Sequence, residues 1–422
     1  MPAYSLPYGR TILSFNLPNP FKPELITLAP SPGAADPAQA VEAALDSLLG
    51  VADWADFANA KTAAIAINDK TRPVPHQQLL PPLLARLEAL GLAPENILLL
   101  IATGTHPPMT PDQYPSILPQ PIIDRYPVFC HDCDEADNLI YLGDTTRGTP
   151  VWINRHYLAA DLRIVVGNIE PHQFQGFSGG VKSAAIGLAG RATVNHNHAM
   201  MTDSRARLGQ ISENPARQDV EEIGRMIDVP LALNAILNDK KEIVRVVAGT
   251  PTAVLAAGIP LATAICTATV TAPYDLVIAS PGGHPKDINV YQAQKGLAHA
   301  TLVTQAGGTV ILAAACPEGS GSRGYEAWVS RRHSHEEVLS QFAAEGFRVG
   351  PHKAFQIARD AMRVRVLLIS EMAPEFARRL LFEPITELQA AIDTAVSTLP
   401  PSVRIGIMPR ANTTIPRLEE QE

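Results

Sequence analysis

The stretch from Gly167 to Met201 carries a dense group of reactive side chains. It follows the apolar run Leu162–Val166, which predicts a buried strand, and α/β proteins place their ligands at such strand ends. Taken singly, each reactive residue is more often structural: a satisfied histidine, a flexible turn or a solvated lysine. So many near one turn favour a functional site. The residues concerned are His172, Gly176, Ser178, Gly179, Gly180, Lys182, His196 and His198.

The glycine-rich part, GFSGGVKS, is the nearest approach in this chain to a phosphate-binding loop. A helix is predicted to begin near Lys182. Backbone N–H groups around Ser178–Gly180 could then hold a phosphate at the N-terminus of this helix. In a full match to the motif, glycine would precede the lysine directly, whereas Val181 separates them here.

Two earlier strands also end in polar loops. Thr62–Ile67 predicts a buried strand, and the loop after it carries Asp69 and Arg72, which alone would suggest a surface ion pair. Asn96–Ala102 predicts another strand, and His106 follows it. Parallel sheets gather such ends on one edge, so His106 and His172 are expected to face one cleft from neighbouring loops.

Length, composition and charge limit the classes of protein to which this chain can belong. The 422 residues predict two domains, and 46% hydrophobic with 18% charged residues indicates an ordinary globular protein. A formal charge of −8 argues against nucleic-acid binding. The apolar runs are too short to span a bilayer and no signal peptide is recognised, so no membrane association and a cytoplasmic location are expected. Cys130 and Cys133 have metal-ligand spacing but no second pair, which favours reduced thiols.

The chain is expected to be α/β throughout, with domains at 1–267 and 268–422. In the second domain, a loop after the strand Leu276–Ala279 opens a helix that carries Tyr291, Gln292 and Lys295. Gln292 and Lys295 share one face of that helix. The other predicted elements are helices at Leu79–Leu90, Pro215–Ile227, Thr252–Ala264, Val290–Ala306 and Ile385–Leu399, a hairpin at Leu231–Asn238 and Glu242–Ala248, and strands at Thr309–Ala315, Val364–Ile369 and Val403–Met408.

Five segments, in this order, resemble the lactate racemase family that carries the nickel-pincer nucleotide: NDKTRPVP, GTH, EPHQFQGFSGGVKS, NHNH and NVYQAQK. The resemblance covers most of the chain, is weakest after about residue 330, and is most specific around Lys182. It implies two α/β domains with mostly parallel sheets and an active-site cleft between them. It also implies a pyridinium-3,5-bisthiocarboxylic acid mononucleotide with a nickel ion as cofactor.

The same resemblance implies roles residue by residue. Lys182 matches the lysine that attaches the cofactor as a thioamide. His198 matches the nickel ligand, with His196 as the alternative, and His106 and His172 match the paired acid/base histidines. The remaining matches are Asp69, Arg72, Gln292 and Lys295 on the substrate side, and Ser178, Gly179, Gly180 and Tyr291 near the cofactor.

The chemistry of a 2-hydroxy acid is consistent with this set. The hydrogen on its carbon is a poor acid, so hydride transfer to an electron-poor cofactor is the easier route. An imidazole is suited to take the hydroxyl proton near neutral pH, and two imidazoles on opposite sides permit inversion. A guanidinium such as Arg72 can clamp the carboxylate in a bidentate manner.

Two departures from the family concern the substrate. The lactate enzymes of the family place a tryptophan where PHKAFQIAR offers Phe355, and Pro107 and Pro108 follow His106. A larger 2-hydroxy acid is therefore as strong an expectation as lactate. The implied partners are this small molecule and the proteins that synthesise the cofactor, without which recombinant protein is expected to lack it.

Two other classes of function fit parts of the sequence. One is a nucleotide or phosphate sensor that keeps the glycine-rich turn and has no turnover, although a sensor would not need both His106 and His172. The other is a zinc hydrolase whose metal is held by His172, His196 and His198.

Overall fold

A computed structural model describes residues 3–50, 53–397, 399–400 and 402–419. The chain divides into two compact units, one of Ser31–Ile265 and one of Met1–Pro30 with Cys266–Glu422. We call them the lysine unit, which contains Lys182, and the terminal unit, which contains both chain ends. Each unit is built on a six-stranded sheet.

The strands of the described residues follow in chain order, beginning with those that precede the glycine-rich turn. These are β1 (Ala3–Tyr8), β2 (Thr11–Asn16), β3 (Glu24–Leu25), β4 (Ala63–Asn68), β5 (Ile97–Ala102), β6 (Val128–Cys130), β7 (Leu139–Asp144), β8 (Pro150–Asn154) and β9 (Leu162–Asn168). The later ones are β10 (Pro171–His172), β11 (Gly176–Phe177), β12 (Leu231–Leu237), β13 (Ile243–Gly249), β14 (Thr267–Val270), β15 (Tyr274–Ala279), β16 (Thr304–Ala313), β17 (Arg365–Ile369), β18 (Glu383–Ile385), β19 (Ile405–Met408) and β20 (Ile415–Leu418).

The helices are α1 (Pro37–Asp46), α2 (His76–Ala89), α3 (Gln120–Arg125), α4 (Arg155–Leu158), α5 (Lys182–Ala185), α6 (Arg191–Ala199), α7 (Pro215–Ile227), α8 (Pro251–Cys266), α9 (Val290–Leu302), α10 (Arg323–Val329), α11 (His335–Glu345), α12 (Pro351–Ala361), α13 (Pro374–Arg379) and α14 (Leu388–Ser397). Short 3-10 turns lie at Trp54–Phe57, Pro94–Asn96, Pro111–Ser116, Ala136–Asn138 and Met200–Thr202. Within the described ranges, no helix has the length and apolar character needed to cross a membrane.

In the lysine unit the sheet order is β13-β12-β9-β4-β5-β6. All neighbours pair in parallel except the hairpin β12–β13. Both faces of the sheet are buried, as the continuous apolar strands predict. In β4, Ile65 and Ile67 face one apolar cluster, whereas Ala64 and Ala66 face the other, where small side chains let α5 lie close to the sheet.

The strand order decides which loops are neighbours. β4 lies between β9 and β5 and pairs with both. The loops that carry His106 and His172 therefore flank the Asp69–Arg72 loop at the carboxyl edge of the sheet. β4 thus lies between the strands that precede the two histidine loops.

In the terminal unit the order is β18-β17-β16-β15-β19-β3, and every neighbouring pair is parallel. Its two faces also carry separate apolar clusters: Val277 and Ala279 of β15 face one, and Leu276 and Ile278 face the other. Both sheets thus bury both faces in the same manner, which confirms the predicted fold class of two α/β units with mostly parallel sheets.

The first thirty residues belong to the terminal unit, which differs from the predicted domain 1–267. β3 pairs with β19, with Glu24 opposite Gly406 and Leu25 opposite Ile407. The β1–β2 hairpin buries Leu6 and Phe15 against the same sheet. The predicted boundary near residue 267 coincides with the division at Ile265. An edge strand of two residues has too little local pattern to reveal a partner almost 400 positions away.

Most predicted elements are present, and the differences are local. The predicted helix Val290–Ala306 ends at Leu302, because Thr304 starts β16. The predicted helix Ile385–Leu399 starts at Leu388, since residue 385 pairs with Ile369 in the sheet.

Candidate active site

A cavity at the carboxyl edge of the first sheet collects most of the predicted site residues. The loops after β4, β5 and β9 form its walls together with the first residues of α5 and one side of α6. The predicted residues that line it are Asp69, Arg72, His106, His172, Ser178, Gly179, Lys182 and His198. A single sheet edge therefore brings together residues that lie up to 129 positions apart in the chain, from Asp69 to His198.

Asp69 is bound to His106. Its Oδ2 lies 2.8 Å from Nδ1 of His106, and its Oδ1 accepts hydrogen bonds from the hydroxyl and backbone N–H of Thr71 at 2.6 and 3.1 Å. Burial alone would raise the pKa of Asp69, which is 3% exposed. The hydrogen bonds from His106 and Thr71 outweigh burial, so the pKa lies below its ordinary value of 3.8 and the carboxylate is ionised near neutral pH.

This pairing gives His106 a defined orientation. Because an ionised carboxylate only accepts hydrogen bonds, Nδ1 of His106 carries the hydrogen and Nε2 carries the lone pair. The side chain of His106 is about half exposed (47%), so its ring is open to solvent or a ligand. The family match placed Asp69 among substrate contacts, whereas the geometry supplies it with a partner inside the protein.

His172 and His198 lie on either side of one aromatic ring. Phe174 meets both imidazoles edge to face, with ring centroids 4.8 Å from His172 and 4.9 Å from His198. The backbone N–H of Gln175 also donates to Nδ1 of His172 at 3.3 Å. Phe174 itself is buried. Both imidazoles are thus held against a fixed apolar surface at the cavity wall.

Arg72 lies opposite Glu170 in the same cavity region, with 4.0 Å between its NH1 and the nearer carboxylate oxygen. Both side chains are about one third exposed, so this is a loose, solvent-screened pair. The guanidinium therefore retains most of its capacity to bind a ligand carboxylate.

The glycine-rich turn is fixed from behind. The backbone N–H of Ser178 donates to the carbonyl of Glu170 at 2.8 Å, and that of Gly180 donates to Oδ1 of Asn234 at 2.8 Å. Gly180 itself does not contribute to the cavity lining described above. Two of the three N–H groups expected to hold a phosphate are thus used inside the protein, and α5 is a single turn.

Gly179 is required by space as well as by conformation. Its φ is +88°, and a Cβ would lie 2.6 Å from Cγ1 of Ile169 and 2.9 Å from Oδ1 of Asn234. Any side chain at this position would displace the turn. Glycine at position 179 is therefore required by the packing of the turn against Ile169 and Asn234.

Lys182 is the first residue of α5 and lines the cavity. Desolvation lowers the pKa of its ammonium well below 10.5, and the positive charges of Arg72 and Arg217 lower it further. Among the described residues, no group accepts a hydrogen bond from its Nζ. The side chain thus presents an amine that is readily neutral and is therefore a competent nucleophile.

The two histidines of NHNH have different surroundings. His198 lines the cavity, whereas His196 is exposed and its Nε2 lies 3.2 Å from the carbonyl oxygen of Arg147. Their positions two residues apart on α6 turn them to different faces of the helix. The geometry therefore favours His198 over His196 as the residue available to a ligand in the cavity.

Sequence reasoning missed Arg217, which is 1% exposed and holds the turn in place. Its guanidinium donates to the carbonyls of Phe177 and Gly179 at 3.0 and 3.2 Å and pairs with Glu221. A signal was present, because Arg217 lies on the apolar stripe of α7 with Val220. A lone arginine on such a stripe indicates a buried charge with specific acceptors.

The predicted residues of the terminal unit lie at the start of α9. Asn289 caps this helix by accepting from the N–H of Gln292 at 3.0 Å. The hydroxyl of Tyr291 lies 3.5 Å from Nε2 of His352, and Lys295 is partly buried. Phe355, on α12, stacks on Phe342 with ring centroids 4.8 Å apart.

The histidine-zinc arrangement finds no support in this geometry. His196 is not part of the cavity that contains His172 and His198. Within the described ranges, the group of acidic, cysteine or histidine ligand atoms close enough to share a metal is Asp132, Cys133 and Asp134. Asp134 is already engaged by Arg191 in a bidentate pair.

Comparisons with known proteins identify the family. The family model for the lactate racemase N-terminal domain matches residues 8–209, and that for the lactate racemase C-terminal domain matches residues 269–415. The lactate racemase of Thermoanaerobacterium thermosaccharolyticum is 27% identical over 421 residues, or 98% of each chain. The lactate racemase of Lactiplantibacillus plantarum is 28% identical over 379 residues, covering 88% of this chain and 89% of that protein.

Solved structures agree with the sequence comparisons. The lactate racemase apoprotein from T. thermosaccharolyticum superposes with a TM-score of 0.89, covering 99% of this chain and all of that one, at 27% identity. A Thermotoga maritima protein with 16% identity and a TM-score of 0.65 shares the fold. Two consecutive domain models and near full-length structural similarity leave one assignment: the chain belongs to the lactate racemase family.

Proposed function

We propose that this protein is a racemase or epimerase of 2-hydroxy acids that works through a nickel-pincer nucleotide attached to Lys182. The observation that carries the proposal is the cavity itself. One sheet edge combines a readily neutral lysine, two histidines suited to acid/base work and an arginine whose guanidinium is weakly paired. This set matches the chemistry that inversion of a 2-hydroxy acid requires.

The residues present fit such a cofactor by the chemistry of their donors. A thioamide forms only from an uncharged amine, and desolvation favours that form of Lys182. An imidazole is a suitable ligand for nickel, and His198 lines the same cavity. Gly179 also lines this cavity. Lys182 and His198 would therefore hold the group, with the turn at Ser178–Gly180 beside it.

When bound, the cofactor would supply an electron-poor hydride acceptor. The protein must then handle the hydroxyl proton. Nε2 of His106 carries a lone pair because Asp69 holds the hydrogen on Nδ1, so His106 can accept that proton. Inversion requires the second histidine to start protonated: His106 takes the hydroxyl proton on one face, and His172 gives its own proton to the carbonyl oxygen on the other. The two histidines exchange these roles in the reverse direction.

Arg72 is proposed to orient the substrate. Its guanidinium can bind the carboxylate of a 2-hydroxy acid with two parallel hydrogen bonds, in competition with the loose contact to Glu170. Gln292 and Lys295 at the start of α9 are the proposed contacts from the terminal unit, and Tyr291 is proposed to lie near the cofactor. Asp69 acts through His106 in this scheme.

The substrate class is proposed to be lactate or a larger 2-hydroxy acid. Phe355 stands where the resemblance places a tryptophan, and its ring stacks on Phe342. A phenyl ring is smaller than an indole and lacks its N–H donor. Both changes favour a roomier and less polar contact than lactate needs.

A sensor without turnover is the competing function. A phosphate sensor would need backbone donors at the glycine-rich turn, but the N–H groups of Ser178 and Gly180 are used inside the protein. A sensor also gains nothing from an oriented Asp69–His106 pair. These two observations favour the racemase.

Lys182→Arg is the decisive test. Protein produced together with the cofactor-synthesis proteins is measured by intact mass and by peptide mapping, and is then incubated with single enantiomers of a panel of 2-hydroxy acids. The wild type is expected to carry one nucleotide plus nickel on the Lys182 peptide and to racemise at least one acid. Lys182→Arg keeps a cation able to hold a phosphate but has no amine that forms a thioamide.

We expect Lys182→Arg to lose the adduct and nearly all activity. Lys240→Arg, at an exposed position, is the matched control and should retain both. Full activity of Lys182→Arg, or an unmodified Lys182 peptide in an active preparation, would rule out the covalent cofactor. An adduct of the expected mass without turnover of any acid that binds would favour the sensor.

A further inference from the structure

A buried polar network lies behind His198. Asn197, Gln175 and Asp219 are all fully buried, and Asn197 is the residue that touches the other two and His198. Its Nδ2 donates to Oδ2 of Asp219 at 2.9 Å and to the carbonyl of Ala216 at 2.9 Å. Its Oδ1 accepts from Nε2 of Gln175 at 2.8 Å and lies 3.2 Å from Nδ1 of His198.

The amide of Asn197 has one allowed orientation. A backbone carbonyl only accepts, and so does the carboxylate of Asp219, which is itself engaged by the hydroxyls of Thr145 and Thr149 at 2.6 to 3.0 Å. Both of these acceptors lie on the Nδ2 side of Asn197. Reversing the amide would set its oxygen 2.9 Å from two other acceptors in a buried site, which is strongly unfavourable. The oxygen of Asn197 therefore faces His198.

This orientation decides the state of the imidazole. An amide oxygen only accepts, so the contact with Asn197 is a hydrogen bond only when Nδ1 of His198 carries the hydrogen. His196 shows the opposite arrangement two residues earlier, because its Nε2 meets the carbonyl oxygen of Arg147 and must carry the hydrogen there. The same helix thus holds two histidines in opposite tautomers.

We propose that Asn197 is a positioning residue that holds His198 in the Nδ1–H tautomer and makes Nε2 the lone-pair atom of the ring. Asp219 anchors Asn197, with Gln175 as a second contact to its oxygen. The consequence for metal binding rests on the proposed function, in which His198 binds nickel. A hydrogen bond of this kind behind a ligating imidazole fixes its orientation and raises its basicity.

The tautomer is measurable in the apoprotein without cofactor. Protein labelled with ¹⁵N-histidine is studied by two-bond ¹H–¹⁵N correlation at about two pH units above the ordinary imidazole pKa. His198→Gln and His196→Gln variants assign the two signals. We expect the hydrogen on Nδ1 in His198 and on Nε2 in His196. A His198 ring protonated at Nε2 overturns the proposal.

One variant tests the role of the network. Asn197→Ala removes the acceptor, so His198 should shift towards the Nε2–H tautomer, and loaded protein should lose nickel to a chelator about 10- to 100-fold more readily. If Asn197→Ala keeps wild-type tautomer and retention, the proposal is wrong.

Failure of this inference is distinguishable from failure of the proposed function. If His198→Ala retains nickel as well as the wild type, His198 is not the ligand, and the proposed function loses its metal site. The tautomer measurement on the apoprotein does not depend on that outcome. Should Asn197→Ala not fold, the wild-type tautomer still decides the question.

Discussion

Lys182 in the lysine unit and Lys353 in the terminal unit are two lysines that burial deprives of a stable charge. Desolvation lowers the pKa of Lys182 well below its ordinary value and lowers that of Lys353 to about 7. In each case neighbouring cations add to the effect: Arg72 and Arg217 for the first, and Lys295 for the second. By electrostatics alone, the two amines would be similar nucleophiles.

Their contacts separate them. Lys353 is 4% exposed, donates to Oε1 of Gln294 at 3.1 Å, and lies 4.6 Å from the ring centroid of Tyr291. Lys182 lines a cavity, and among the described residues nothing accepts a hydrogen bond from its Nζ. The comparison teaches that burial makes a lysine neutral, whereas access and the absence of an internal acceptor make it reactive.

The largest expected effect concerns the histidines on the Lys182 side of this comparison. His106→Asn and His172→Asn should each lower kcat for the racemised acid by about 10²- to 10⁴-fold, because each removes a proton acceptor. Intact mass should show an unchanged adduct on Lys182. His196 lies outside the cavity, so the kcat of His196→Gln should stay within about twofold of the wild-type value. Equal kcat in all three variants would mean that the two cavity histidines do not transfer protons in the reaction.

The next effect is on stability and concerns Lys353. Its pKa falls from 10.5 in the unfolded chain to about 7 in the folded one. Between these values the unfolded state binds more protons, so the free energy of unfolding rises with pH; below about pH 7 both states are charged and the folded state bears the full cost. Lys353→Met removes this cost, which is on the order of a few kcal/mol.

Urea unfolding of wild type and Lys353→Met across this pH range measures the difference. The variant should be the more stable protein below about pH 7, and its advantage should shrink as the pH approaches 10.5. Lys240→Met, at an exposed site, should show no such trend. A constant difference between wild type and Lys353→Met at all pH values would contradict the buried, uncharged state.

The smallest effect tests access directly. In the apoprotein, an acylating reagent near neutral pH should modify Lys182 about tenfold or more faster than Lys353, since burial lowers the pKa of both amines but only Lys182 faces a cavity. A tenfold ratio corresponds to about 1.4 kcal/mol in activation free energy. Peptide mapping of partially labelled protein gives both rates. Equal rates would mean that the contacts of Lys353 with Gln294 and Tyr291 do not protect its amine from acylation.

Local pattern was sufficient for most of the secondary structure and for the set of reactive residues. Buried parallel strands are continuous apolar runs, so β4, β5 and β9 were recognisable from a few adjacent residues. The loops after them could be identified for the same reason. The helix α7 was predicted at its observed bounds, because Asn214 caps it and Pro215 starts it.

Tertiary structure alone decided how these pieces meet. The strand order places β4 between β5 and β9, which precede the loops of His106 and His172. Asp69, in the loop after β4, is therefore close enough to bind His106. The fold also turned the N–H groups of Ser178 and Gly180 inward, and joined the first thirty residues to the terminal unit through β3.

The reason is that local periodicity records which face of an element is buried, whereas pairing between distant elements leaves no mark in the spacing of neighbours. His196 and His198 are the clearest case. Their sequence contexts are nearly the same, and only the neighbours that the fold supplies, the Arg147 carbonyl for one and the Asn197 amide for the other, give them opposite hydrogen-bonding states.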